Sequence, residues 1–412
     1  MNDLAFKVNN WVELTTTDEK ERATACELQI TTANESLFMV EDLRSQSTRE
    51  YIRVSAYPLA VWLVENYFRL KHEVRVTDAF DHALSHRLSA IGSGFIWPNI
   101  DFSADGERIK VTVADSTKTG ISPVFIRGNT EPFWISYEAF DSAVSELIRS
   151  VNARLDDRGI PSHYLKELWQ CVASEKSDPL RQLEAQVGLD PEGRSEELEF
   201  WKDLAQKYGE AEVLSLAGSA SKLETEALFS AFETRQGSPS KEIAALQKHV
   251  RPPQSVAWDL GAQGAKMLRQ YLANVDAPLH DIPFLDSFGE TPDLTVSGAI
   301  SQNEEIKILL RSAAHPKSLR FEKARLLGDL LLFQNQKISM VTTGLEFRQK
   351  AQRAFAAELL VPTEALNKNL PSSGEFDDDA VFRLADEYDV SQVCVVHQIR
   401  NRRLPYRSQL SD

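Results

Sequence analysis

Apolar residues recur at two spacings along this chain, and the changes of spacing divide it. Residues 1–56 alternate short apolar runs with polar turns. From Pro58 to Leu70 the period lengthens. Leu59, Trp62, Leu63, Tyr67 and Phe68 fall every three or four positions, as on a helix with one apolar face. Pro58 suits the first turn of such a helix, where its missing N–H would have no intrahelical partner. A second helix is expected over about Thr77 to Ile91. Arg108 to Ala114, RIKVTVA, alternates as a half-buried strand, and Ser122 to Arg127 and Pro132 to Ser136 read as two more. These predict a small antiparallel sheet with the earlier helices against it. Tyr137 to Leu155 is again helical, with Phe140, Val144, Leu147, Ile148 and Val151 on one side.

Pro161 to Ser238 is helical in pattern, broken into short amphipathic segments by Gly, Pro or Asp. Ser162 and Ser195 stand where N-caps belong. Trp169 and Trp201 read as packing anchors. Arg251-Pro252-Pro253 is the clearest boundary in the chain. Beyond it, Pro253 to Tyr271 and the short segment IPFLDSFG read as helices, and Leu294 to Ile300 and Glu305 to Ser312 as strands. Helices follow at Leu319 to Phe333, Phe347 to Pro362 and Asp377 to Tyr388, with a helix-turn-helix-like unit at the end. The expected fold class is α+β. Residues 1–160 form an N-terminal α+β region, 161–250 a helical connecting region, and 251–412 a mainly helical domain with a small sheet.

A chain of 412 residues with 42% apolar side chains can bury sizeable cores. Its net charge of -15 argues against a surface that coats nucleic acid broadly, while leaving room for a local basic patch. No apolar run approaches a membrane span, and MNDLAFKVNNW lacks the basic and apolar regions of a signal peptide. Cys26, Cys171 and Cys394 are far apart and odd in number, so they read as free thiols of a reducing, cytoplasmic setting.

Candidate chemistry is sparse. Asp78, His82 and His86 share one helical stripe at successive i+4 spacings, which is formally ligand geometry. One straight helix cannot wrap three ligands around a small ion, so histidines satisfied by hydrogen bonds are the plainer reading. His315, alone in a loop before Pro316, is a weak ligand candidate of the same kind. Asp115 and Lys118 in VTVADSTKTG are too few for a nuclease metal site. No cofactor motif is present. Arg400, Arg402, Arg403 and Arg407 cluster around Asn401 and Tyr406 near the C-terminus. They read as contacts for nucleic-acid phosphate or an acidic protein partner, or as a solvated helix end.

Two separated stretches carry a family resemblance. LRFEKARLLGDLLLF, Leu319 to Phe333, resembles the zinc helix of the ImmA/IrrE metallopeptidases, roughly RFTLAHELGH. Arg320, Phe321, Ala324 and Gly328 match that pattern. FRQKAQRAFAAELLVP, Phe347 to Pro362, resembles the family's second helix through Phe355, Ala356, Ala357, Glu358, Leu359, Leu360 and Pro362. The tail, Ala385 to Pro405, resembles its closing helix-turn-helix-like unit. The resemblance spans about residues 253–405 and implies a zincin-like fold.

The same resemblance marks what is missing. Arg325 and Asp329 stand where two zinc-binding histidines belong, Leu326 stands where the catalytic Glu belongs, and Ala351 falls at the third ligand. A guanidinium has no lone pair to give a metal. Arg325 and Asp329 form a candidate i,i+4 ion pair instead. The resemblance therefore implies a pseudoenzyme of a metallopeptidase-like kind, without a metal cofactor. It would act by protein binding in regulation, stress response, mobile-element control, toxin–antitoxin function or phage defence. The rival expectations are a DNA-associated regulator using the C-terminal arginines and a metal-dependent hydrolase with a non-standard site.

Overall fold

The alternating stretches of the first half pair as strands, but in three sheets. Leu4–Trp11, Ala25–Thr32, Glu35–Ser36 and Ile52–Ser55 make a four-stranded antiparallel sheet. Arg108–Ala114 lies between Asn99–Ala104 and Phe133–Ser136 in a second. Val124–Gly128 does not join RIKVTVA as expected. It pairs with Phe38–Asp42, which also holds Ser47–Arg49. The computed structural model behind this description covers residues 3–407 except 34, 44, 75–78, 117–123, 129–130, 235–237, 240, 280–289, 292–293, 303–304 and 313–314. Asp78, Lys118 and the IPFLDSFG segment lie outside the described residues.

Two compact units divide the chain, residues 1–200 and 201–412. Both mix helix and strand, so the protein is α+β and largely helical. In the first unit the stripe read from Pro58 to Leu70 forms two helices, Ala56–Glu65 and Tyr67–His72. The break falls at Asn66, whose side chain donates 2.9 Å to the Trp62 carbonyl. That local bond competes with helix continuation. Phe140, Val144, Leu147, Ile148 and Val151 of the Tyr137–Asp157 helix are buried with Leu59, Leu63 and Tyr67 in one core. Ser195 caps its helix by accepting from Leu198 N, whereas the Ser162 hydroxyl has no partner.

The second unit is built around two packed helices. Pro316–Leu332 carries the first motif and Phe347–Leu360 the second. Leu326, Leu327, Leu330 and Leu331 are buried with Phe355, Ala356, Leu359 and Leu360 in one cluster. Gly328 permits the close approach, since a Cβ there would stand 2.6 Å from the Phe355 ring. Ala257–Tyr271 packs on the other side of the second-motif helix. A sheet of Ser238–Pro239, Glu305–Arg311, Ser297–Gln302 and Ile338–Val341 covers the first-motif helix. The last strand, ISMV, is wholly buried and lacks the alternation by which a strand is recognised. Asp378–Glu387 and Gln392–Asn401 close the described chain, and no described helix is long and apolar enough to cross a membrane.

Gly261 marks the tightest helix contact. A Cβ there would meet the Ala351 carbonyl well inside van der Waals distance and the Phe355 nitrogen at 2.8 Å. Gly261→Ala gains about 1 kcal/mol of helix propensity. Overpacking against backbone costs about 1–3 kcal/mol. Because neither opposing atom can swing away, a lower urea midpoint for the second unit is expected. An unchanged or raised midpoint would show that the helices are not this close.

Candidate functional site

The positions at which the motif resemblance would put a zinc site are filled by a buried polar network. Asp329 is fully buried. Its Oδ1 accepts from Arg348 Nε at 2.8 Å and Gln352 Nε2 at 2.8 Å, and its Oδ2 from Arg348 Nη2 at 2.6 Å. Arg348 also donates to the Ile338 carbonyl at 2.8 Å and to Ser215 Oγ at 2.6 Å. The expected Arg325–Asp329 pair is therefore not formed. A bidentate fork from another helix outcompetes an i,i+4 pair worth roughly 0.2–0.5 kcal/mol. Arg325 Nη2 donates instead to Thr342 O and Gln349 Oε1, both at 2.7 Å.

These residues do not fit a zinc ion. Arg325 has no lone pair, and Leu326 is buried among leucines. Every oxygen of Asp329 is already taken by N–H donors. Ala351 does not face this site. It packs with Ala257, Leu260 and Phe347, on the side toward the Ala257–Tyr271 helix. Gln352, one residue on and so turned about 100° around the helix, is the side chain beside Arg325 and Asp329. Among the described residues no group of three or more His, Cys, Asp or Glu is placed to hold a metal.

The histidine candidates are occupied elsewhere. His82 and His86 stack with ring centroids 3.8 Å apart and planes 4° from parallel. Stacked rings do not aim lone pairs at one ion. His86 is buried, with Nε2 3.2 Å from the Arg69 carbonyl and Nδ1 2.9 Å from Ser85 Oγ. Nδ1 also lies 3.0 Å from the His82 carbonyl, so both ring nitrogens face partners within the protein. Burial holds its pKa down at about 3. His315 caps the first-motif helix, its Nδ1 accepting from Lys317 N at 3.1 Å.

What the second unit does offer is a cleft of about 720 Å³. Three helices line it, each by one face at i, i+3, i+4 and i+7. The first-motif helix gives Ser318, Phe321, Glu322 and Arg325, and the second gives Lys350, Arg353, Ala354 and Ala357. Gln392–Asn401 gives Cys394, His397, Gln398 and Asn401, and Trp258 stands on the rim. Among the described residues that line it, seven are Lys or Arg and one, Glu322, is a carboxylate. Glu322 is held by Arg311 at 2.8 Å. The cleft is thus strongly cationic in a chain of net charge -15.

Arg325 and Arg353 dominate that charge. Both donate to one loop, Arg325 to the Thr342 carbonyl and Arg353 to the Gly344 carbonyl at 2.6 Å. Neither forms an ion pair within 4 Å among the described residues, although Glu346 acts on both, and Arg325 Nε is buried without an acceptor. Burial, with the nearby charge of Arg353, brings Arg325 down to about 10. Sequence reading passed over Lys350 and Arg353. Their i,i+3 spacing in FRQKAQRAF was the available signal.

The C-terminal arginines do not form one patch. Arg402 pairs with buried Glu358 at 2.9 Å, and the Arg400 guanidinium lies 5.8 Å from the Tyr406 ring centroid. Arg402 and Arg403 line the cleft, whereas Arg400 and Arg407 do not. Glu358 also accepts from Thr363 N and Oγ1 and from Gln398 Nε2. Ser391 caps the last helix, and Val390 and Ile399 are buried. Val393 is 62% exposed, and Cys394 and Val395 take the inward places.

Asp329→Ala strands the Arg348 charge and should destabilise the second unit by about 3–5 kcal/mol. Asp329→Leu with Arg348→Met should cost clearly less than Asp329→Ala alone. Equal losses in denaturant titrations would mean that the pair is not buried and coupled. Glu346 gives a pH test. Its buried carboxyl has no hydrogen-bonding partner outside its own backbone, and burial pushes it up to about 7. A raised carboxylate pKa favours the fold below about pH 4.5, and that advantage is lost as pH rises to about 7. Glu346→Gln should therefore stabilise at pH 8 by up to ~3 kcal/mol and by almost nothing at pH 4.5. A pH-independent difference would refute the assignment. Compared with known protein families and with curated proteins, the chain matches none.

Proposed function

We propose that this protein works by binding and not by hydrolysis, as a metallopeptidase-like pseudoenzyme whose cleft takes an acidic ligand or partner. The observation that carries this reading is the state of Asp329. The single carboxylate at the former zinc positions is saturated by Arg348 and Gln352. Freeing it would leave a guanidinium buried and unpaired, at a cost of about 3–5 kcal/mol. Around this plug the three helices keep an open cleft, and its charge is opposite to that of the chain. A regulatory role, in mobile-element control, toxin–antitoxin function or phage defence, is what the motif resemblance adds.

A DNA-associated role is the second reading. Asp378–Glu387 and Gln392–Asn401, joined by a short turn at Tyr388–Ser391, support it. The engagement of Arg402 by Glu358 removes one of its four cations from phosphate contact.

The test has two arms. Protein purified without chelator is assayed for bound metal and for cleavage of proteins encoded beside its gene. Substoichiometric zinc and no metal-dependent cleavage are expected, and one zinc per chain with chelator-sensitive cleavage would sink the proposal. In the second arm poly-glutamate, inorganic phosphate and duplex DNA are titrated against wild type, Arg353→Glu, and the pair Arg400→Ala with Arg407→Ala. Weaker anion binding by Arg353→Glu alone supports the cleft. Weaker duplex binding by the Arg400/Arg407 pair supports the DNA reading instead.

A further inference from the structure

The cleft's cations are not equivalent, and their differences specify a ligand. Arg311 and Arg402 already have carboxylate partners, Glu322 and Glu358. Among the described residues Arg325 and Arg353 have no carboxylate within 4 Å, the buried Glu346 acting on both from farther away, and both line the cleft and are held in place by carbonyls of the Thr342–Gly344 loop. That loop is itself fixed, because Thr342 N donates to Gln349 Oε1 at 2.9 Å and Gly344 N to Thr342 Oγ1 at 3.1 Å. Two guanidiniums near enough to act on each other are therefore held by one loop.

A single carboxylate brings one charge and two oxygens, which leaves half of this pair uncompensated. A phosphate monoester brings a charge of about −1.5 to −2 and three acceptor oxygens, which matches two adjacent guanidiniums. Trp258 lines the same cleft and is 48% exposed, and an indole is a side chain against which a base stacks. The volume of about 720 Å³ lies within the range of about 300–1,000 Å³ common to small-molecule sites. The net charge of -15 also selects for size. A local positive field persists over about 8 Å at physiological salt. A small anion stays inside that field, while a long polyanion extends beyond it along a chain of net charge -15.

Building on the binding reading above, we propose that the cleft is a nucleoside-phosphate site, with the terminal phosphate between Arg325 and Arg353 and the base against Trp258. Lys317, Lys350 and Arg403 supply further charge along the rim for a di- or triphosphate.

The experiment is calorimetric titration of the full chain with AMP, ADP, ATP, adenosine, inorganic phosphate, a phosphoserine peptide and poly-glutamate. The proteins are wild type, Arg353→Met, Arg325→Met and Trp258→Ala, each checked for its melting transition. Arg353 bonds only to one loop carbonyl, so its variant keeps the test open if Arg325→Met unfolds. Nucleotide binding that weakens roughly 10- to 100-fold in Arg353→Met supports the clamp. Trp258→Ala should weaken nucleotide binding roughly 5- to 100-fold and leave inorganic phosphate unchanged. Inorganic phosphate binding as tightly as AMP would overturn the base contact. A phosphoserine peptide binding tighter than any nucleotide would overturn the nucleoside assignment. Poly-glutamate binding without nucleotide binding would overturn this inference and leave the broader binding reading standing. Absence of binding to every probe would overturn both.

Discussion

The second unit depends on one buried ion pair, Asp329 with Arg348. Together with Gln352 it joins the two motif helices by three N–H···O bonds, and through the Ile338 carbonyl and Ser215 it also fixes the edge strand and the Glu210–Ala217 helix. Neither partner can be removed singly without leaving a charge in an apolar interior. Nor is the carboxylate open to another task, because both of its oxygens already accept N–H donors. A pair of this kind adds little net stability over a hydrophobic substitute. Its effect is directional, since it allows one register of the second-motif helix against the first.

A second buried carboxylate does the same for the end of the chain. Glu358 gathers donors from Thr363, Gln398 and Arg402, so the Phe347–Leu360 helix holds the next turn and the Gln392–Asn401 helix at fixed positions. The cleft is the space between the helices that these two knots align. Its shape is therefore set by groups beneath its walls, and its charge by groups on them. Arg402 belongs to both sets, because its guanidinium neutralises Glu358 while its stem lines the cleft. Arg325 and Arg353 have no such direct counterpart among the described residues, and buried Glu346 acts on both without bonding to either. Two neighbouring cations without a bonded anion favour a dianion, which is the sense in which the proposed site is pre-organised for charge.

The sequence by itself determined the elements whose pattern is local. Helical spacing fixed the Tyr137–Asp157 helix and its buried face, the two motif helices and the cap at Ser195. Alternation fixed Arg108–Ala114. Residue chemistry alone ruled Arg325 and Leu326 out as metal groups. Tertiary structure decided everything that depends on which partner wins. Val124–Gly128 left its sequence neighbour for Phe38–Asp42, since hairpin proximity is no stronger than a better pairing edge. The ISMV strand was hidden because burial on both faces erases alternation. Asp329 chose Arg348 over Arg325, and a turn of one residue put Gln352 rather than Ala351 at the site. The cleft itself could not be read, because its cations come from three helices and become neighbours only when those helices pack. A charge pattern along a chain gives the sign of each residue, and only the fold gives the distance between them.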